Sequence, residues 1–169
     1  MINLDIGRVP EGHSHFDIEA DAAGLETSLE DGRLESRVSL RLDLDRRGGD
    51  IFIKGTVEAR AVLGCSRCLK EYSLELEAPL ELWCIVGGEP DAEGEEDREN
   101  VMRVSAGAKF ADLAGPVRTE LLVLLPLKPL CDQDCKGLCP RCGIDLNASS
   151  CSCAPEGHDS RWDALNKIK

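Results

Sequence analysis

Aromatic residues are scarce in this chain, with two tryptophans, one tyrosine and three phenylalanines among 169 residues. A core must therefore rest on Leu, Val, Ile and Ala, and a chain of this length can build one without staples. Long apolar runs are missing as well. The longest, LLVLLPL at 121–127, is too short to span a bilayer and Pro126 interrupts it, so no membrane partner is expected. The opening MINLDIGRVPEGHSHFDIEADAAG lacks a basic start followed by an apolar stretch, which predicts no secretory leader. The expected location is therefore the cytoplasm, where thiols stay reduced and disulfides are rare. No G-x-S-x-G motif, P-loop or glycine-rich dinucleotide fingerprint occurs. Of the three histidines, His13 and His15 lie in a polar N-terminal stretch without a nearby nucleophile. The sequence gives no reason to expect an enzyme.

Charge of one sign is in excess. The formal net charge is −12, and it is unevenly placed: residues 1–126 carry 26 acidic and 14 basic side chains, residues 127–169 carry 6 of each. An acidic surface repels a phosphate backbone, whose binding is driven by counterion release onto Lys and Arg. A basic protein is the better electrostatic partner, because complementary fields steer encounters. An acidic surface also serves plain solubility, and that reading stands beside the first.

Hydrophobic alternation of period two dominates the first half. In RLESRVSLRLDLD, Leu34, Val38, Leu40, Leu42 and Leu44 share one face. After the turn signal RRGGD, Ile51, Ile53, Val57, Ala59, Ala61 and Leu63 do the same, and the pattern restarts as Tyr72, Leu74, Leu76, Leu80 and Leu82. Three such runs joined by short turns predict an antiparallel meander with one wet side. Cys84 continues the last apolar face and reads as a small buried hydrophobe. The stretch 87–100, GGEPDAEGEEDREN, has seven carboxylates and no apolar periodicity, and reads as an acidic loop. VMRV at 101–104 is a candidate short strand. DLAGPVRTELLVLLPL predicts a helix with Pro116 in its first turn, Leu121, Leu122 and Leu125 on one side, and Pro126 ending it. A last short helix is expected over 159–168, packing through Trp162, Leu165 and Ile168. The expected fold is α+β: a curved, barrel-like antiparallel meander, then a helix, a Cys-rich tail and a short terminal helix. Its regions are 1–86 for the sheet, 87–100 for the acidic loop, 101–130 for a short strand and the helix packing on the sheet, and 131–169 for the tail.

Cysteine is what the chain has in abundance. CDQDCKGLCPRCGIDLNASSCSC at 131–153 holds six of the nine, and GCSRCLK adds Cys65 and Cys68. Cys139-Pro-Arg-Cys142-Gly is a zinc-knuckle sequence, in which two intervening residues let both sulfurs reach one ion and the glycine permits a turn that aims backbone N–H groups at sulfur. Cys151 and Cys153 complete a plausible four-thiolate site, with an iron–sulfur cluster as the open alternative. Cys65 and Cys68 fall at a hairpin turn between two alternating runs. A redox CxxC belongs at a helix N-terminus, and that context is missing. Arg67 and Lys70 nearby favour thiolates. The hairpin pair needs a second pair, and Cys131 and Cys135 are unassigned. The expected partition is thus Cys65, Cys68, Cys131 and Cys135 in one site and Cys139, Cys142, Cys151 and Cys153 in the other. The rival partition puts a single ion on four of the six tail thiols, with His158 a substitute ligand. Neither leaves the open coordination position of a catalytic zinc.

GCSRCLKEY before a strand, then the acidic loop, ELLVLLPLKPLCDQDCKGLCPRCGIDLN, CSC and DSRWDALNKI together resemble the YceD family, the large ribosomal RNA subunit accumulation proteins. The resemblance spans about residues 30–168. It implies a non-enzymatic factor for the accumulation of large-subunit ribosomal RNA during subunit assembly. The family's gene commonly neighbours that of a small, basic zinc-ribbon protein of the large subunit, which implies such a protein, or a pre-ribosomal particle, as partner. Direct contact with RNA is a separate question. Lys136 and Arg141, protruding near the knuckle, are the candidate phosphate contacts, and two cations make a small footprint. Two other classes compete: a zinc-ribbon nucleic-acid or transcription module, against which the balanced tail charge argues, and a thiol redox or metal-buffering protein. Metal analysis of the reduced protein is expected to return two zinc ions per chain, whereas one ion, indifferent to Cys65→Ser and Cys68→Ser, would break the two-site partition.

Overall fold

The computed structural model describes residues 2–25, 32–87 and 100–153. In chain order these form strands β1 (Asn3–Asp5), β2 (Gly12–Asp21), β3 (Gly32–Arg47), β4 (Asp50–Gly64), β5 (Glu71–Val86), β6 (Val101–Val104) and β7 (Phe110–Asp112), then helix α1 (Ala114–Val123). Two short 3-10 turns, Ile6–Arg8 and Ala22–Leu25, follow β1 and β2. Each is started by an aspartate just before it: Asp5 accepts from the Gly7 amide at 3.1 Å, and Asp21 from the Ala23 amide at 2.9 Å.

The alternating runs become β3, β4 and β5, paired antiparallel as expected. Leu40, Leu42 and Leu44 of β3, Ile51, Ile53 and Val57 of β4, and Leu76, Leu80, Leu82 and Cys84 of β5 lie on one buried face. Their neighbours along each strand point to water, since successive side chains take opposite faces. The hairpin between β3 and β4 turns at Gly48 (φ +62°), a left-handed conformation that glycine adopts without steric penalty. Between Leu34 and Val38 the register slips against β4, so two apolar residues four apart meet Ala61 and Ala59, which are two apart.

Among the described residues the sheet has five strands in the order β2-β3-β4-β5-β6 and is open, with β2 and β6 at its edges. The expected closure into something barrel-like is not found among the described residues: β6 is only four residues long, and there it pairs with β5 alone. Nor is the sheet wholly antiparallel, because β6 runs parallel to β5. A parallel neighbour needs a crossover of about a dozen residues or more, a length that the acidic stretch between Val86 and Val101 supplies. The N-terminal stretch read as merely polar contains β2, whose Phe16, Ile18 and Ala20 pack against the core from the same face. Period-two alternation was present there in HSHFDIEAD, diluted by two histidines.

Above the buried face lies a second layer. β1 pairs with β7, and Ile2, Leu4, Ala111 and Leu113 are buried with Ala114, Val117 and Leu121 of α1. Arg46 ties this layer to the sheet by donating to the Ile6 and Val9 carbonyls at 3.0 and 2.8 Å. Pro116 sits in the first turn of α1, where no intrahelical N–H bond is lost, and the helix stops before Pro126. Leu122 does not share the buried side with Leu121; it is exposed, as are Val123, Leu124 and Leu127. Successive helical residues point about 100° apart, so of this pair only Leu121 faces the core, and Leu125, one turn further on, packs against it as expected. The terminal helix expected over 159–168, and most of the acidic loop, lie outside the described residues.

Gly55 of β4 is a point of close strand approach. A Cβ there would collide with the Arg41 backbone carbonyl of β3 and the Leu42 side chain. Gly55→Ala is expected to destabilise the protein by about 1–3 kcal/mol through overpacking against backbone, read as a lower urea midpoint with an unchanged slope.

Candidate metal centres

The turn between β4 and β5 carries Cys65 and Cys68. The Leu69 amide donates to the Cys65 carbonyl at 2.8 Å and the Cys65 amide to the Lys70 carbonyl at 2.9 Å. The tail repeats this loop: Gly143 N–H to the Cys139 carbonyl at 2.9 Å, and Cys139 N–H to the Ile144 carbonyl at 2.9 Å. The residue after the second cysteine is left-handed in both, Leu69 at φ +61° and Gly143 at φ +70°. Both CxxC segments are therefore the same knuckle. The glycine signal marked one of them in the sequence, and the leucine concealed the other.

The structure gathers eight of the nine thiols into two groups. Cys65, Cys68, Cys131 and Cys135 form one, Cys139, Cys142, Cys151 and Cys153 the other, with the sulfurs of each group within 4.8 Å of one another. In the first, Cys65 Sγ lies 3.8 Å from Cys135 Sγ and Cys68 Sγ lies 3.6 Å from Cys131 Sγ. Four sulfurs at about 2.3 Å from one tetrahedral ion stand about 3.8 Å apart, so the spacing fits a single ion. It is far beyond the about 2.05 Å of a disulfide bond. It is also too tight for a polynuclear iron–sulfur core, which sets its thiolates on different irons. Either group can hold one metal ion through four thiolates. Cys65, Cys68 and Cys135 are buried, beside Tyr72, Leu130 and Leu138; in the second group Cys139 is buried, while Cys142 and Cys153 are exposed. Cys84 lies apart, buried in the core of the sheet, and burial raises its thiol pKa. His158, the substitute ligand, falls outside the described residues.

Polar contacts dock the tail onto the hairpin. The Pro129 carbonyl accepts from Ser66 twice, from its amide at 2.9 Å and its hydroxyl at 2.6 Å. Arg67 donates to the Cys135 carbonyl at 2.7 Å, and its own carbonyl accepts from the Leu138 amide at 3.1 Å. Gly137, at φ +75°, passes so close that a Cβ would lie 2.9 Å from the Arg67 carbonyl oxygen. Lys70 meets Asp145 at 2.5 Å. That bond, helped by the Asn147 amide, holds the Asp145 carboxyl down to about 2. The side chains of Arg67 and Lys70 bind tail oxygens, and the backbone N–H groups of the same two residues favour the thiolates of Cys65 and Cys68.

Asn147 escaped the sequence reading. Its Nδ2 donates to Cys135 Sγ at 3.4 Å and to Asp145 Oδ1 at 2.8 Å, while its Oδ1 accepts from the Lys136 amide at 2.7 Å. One side chain thus links the first thiol group to the loop that carries the second. Its only sequence signal was the D-x-N spacing beside the knuckle. Lys136 and Arg141, the candidate phosphate contacts, are both exposed.

The thiols are electrically unequal. N–H groups of Cys131 and Cys68 aimed at Cys65 pull its pKa down to about 6, and those of Cys142 and Arg141 do the same for Cys139, to about 6. Hydrogen bonding to Cys68 and burial push Cys131 up to about 12; Cys142 and burial push Cys153 up to about 12. Cys68 is drawn down by the Lys70 N–H, yet burial and the adjoining thiols leave it raised. Each group therefore offers one ready thiolate, while a positive ion must expel the protons from others.

Among the described residues, an open, mostly antiparallel sheet with one helix and two four-thiol centres defines an α+β protein competent to bind two metal ions. The family described as large ribosomal RNA subunit accumulation protein YceD matches residues 53–169, and the chain belongs to it. An uncharacterized protein of Mycobacterium tuberculosis (strain ATCC 25618 / H37Rv) is 36% identical over 129 residues, 73% of this chain and 60% of that protein. The large ribosomal RNA subunit accumulation protein YCED homolog 1, chloroplastic, of Arabidopsis thaliana is 26% identical over 189 residues, 98% of this chain and 59% of its own length. Its namesake in Zea mays is 30% identical over 173 residues, 81% of this chain and 58% of its length. The chain spans about three fifths of the length of these curated relatives. No solved structure matches it.

Metal uptake should release protons from Cys68, Cys131 and Cys153 at neutral pH, so apparent affinity rises with pH there. It should fall more steeply once pH drops through about 6, where Cys65 and Cys139 also protonate. Calorimetry in buffers of different ionisation enthalpy checks this, and a heat independent of buffer would contradict it.

Proposed function

We propose that the chain is a ribosome biogenesis factor that supports accumulation of large-subunit ribosomal RNA by binding, without catalysing a reaction. Its partner is a basic protein of the large subunit, free or within a pre-ribosomal particle, met in the cytoplasm. The observation that carries this reading is the state of the sheet's wet face. Arg33, Arg37, Arg41, Arg47, Lys54 and Arg60, which point outward from β3 and β4, are each held by a carboxylate. Cations so occupied are poor donors to phosphate, and the surplus carboxylates suit a cationic protein. Family membership supplies the ribosomal setting.

The eight clustered cysteines act as ligands for two structural zinc ions. Zinc takes four thiolates tetrahedrally, and such a closed shell offers no position to a substrate. Among the described residues no helix is long and apolar enough to cross a membrane. Exposure of Cys142 and Cys153 favours a second reading, metal buffering, in which a mild chelator would strip the outer site quickly while the fold persists.

A tagged pull-down with and without ribonuclease tests the binding mode. A basic large-subunit protein is expected to stay bound after ribonuclease. Loss of all partners with the RNA would overturn the protein-clamp reading and direct attention to Lys136 and Arg141.

A further inference from the structure

On the wet face, Phe52 and Trp83 stand directly opposite each other in the β4–β5 register. They are 40% and 49% exposed, with ring centroids 6.2 Å apart and planes at 68°. Their strand neighbours supply the core, so neither ring is needed inside it. A sheet-surface aromatic pair adds something to pairing, yet leaves nearly half of each ring in water. With Asp45, Arg47 and Asp50 the rings line a recess of about 300 Å³. Arg47 already lies along one wall, 2.8 Å from Asp45, so a guanidinium fits the chemistry of this corner. Asp50, on the same strand as Phe52, meets no cation among the described residues.

We propose that this recess receives an arginine side chain from a cationic polypeptide segment. The flat guanidinium stacks on the Trp83 ring, Asp50 accepts its N–H groups, and Phe52 covers its aliphatic stem. Arginine suits the place better than lysine because its planar fork can stack and hydrogen-bond at once. The net charge of −12 draws such a segment in, and the paired cations of the face leave no described site for a phosphate beside it. The inference rests on the basic-partner reading above and adds where that partner is gripped.

The test uses the full, metal-loaded chain and three probes in calorimetry: an arginine-rich decapeptide, its lysine counterpart and a single-stranded RNA decamer. The arginine peptide should bind more tightly than the lysine one, and the RNA should not bind. Trp83→Leu should weaken the arginine peptide about tenfold, as loss of a stacking anchor does. Asp50→Asn should weaken it about threefold, whereas Glu77→Gln, the same charge change elsewhere on the face, should alter it less than about twofold. In case Trp83→Leu perturbs the sheet, the Trp83 indole N–H of the unaltered protein is followed by NMR and should shift on titration. Equal losses in the Asp50 and Glu77 variants, or a still indole signal, would overturn the recess as the grip while leaving the basic-partner reading intact. No binding of either peptide would overturn both, and RNA competing at the recess would overturn the assignment of its ligand.

Discussion

The tail is held to the sheet by one group of sulfurs, Cys65 and Cys68 from the β4–β5 turn with Cys131 and Cys135. Cys65 and Cys135 are 70 residues apart in sequence. Closing a loop of that length takes about 4 kcal/mol of chain entropy from the unfolded state. A metal ion bound by these four thiolates would offset that cost, since structural zinc sites supply about 10–16 kcal/mol in small zinc-binding peptides. The neighbouring polar contacts depend on this junction, because Ser66, Arg67 and Gly137 can meet their partners only when the turn and the tail lie in register.

The second group of thiols is built upon the first. Three residues separate Cys135 from Cys139, and Asn147 returns from beyond the second knuckle to Cys135 Sγ. The two knuckles share backbone hydrogen bonds and differ at the left-handed residue. Leucine in that conformation is strained by about 1–2 kcal/mol relative to the right-handed region, and Leu69 is well exposed, so no burial of its side chain repays the strain. The turn holds it there because both neighbouring amide bonds and the cysteine geometry require it.

The sheet separates two kinds of surface through nothing more than the pleat. Its inner face is Leu, Ile, Val and Ala with a second layer over it, and its outer face is a lattice of ion pairs with acid left over. Exposed pairs of this kind add little stability each. Their consequence is instead electrostatic: with the cations engaged, what the face presents to a partner is mainly carboxylate. Phe52 and Trp83 interrupt that pattern at one end.

Local periodicity in the sequence determined which residues of β3, β4 and β5 are buried, because alternation records the two faces of a strand wherever one of them is covered. Cysteine spacing likewise determined that two CxxC loops exist, because the reach of a knuckle is a local property. What neither pattern contains is the identity of a neighbour. The parallel placement of β6, the pairing of β1 with β7, the openness of the sheet and the edge position of β2 are tertiary pairings that neither pattern encodes. The grouping of the sulfurs could be inferred by pairing leftovers, but their tetrahedral spacing and the contact of Asn147 came only from folding. A side chain sets its own face in the sequence, whereas its partner is chosen by backbone groups and sulfurs that lie tens of residues away and meet only in three dimensions.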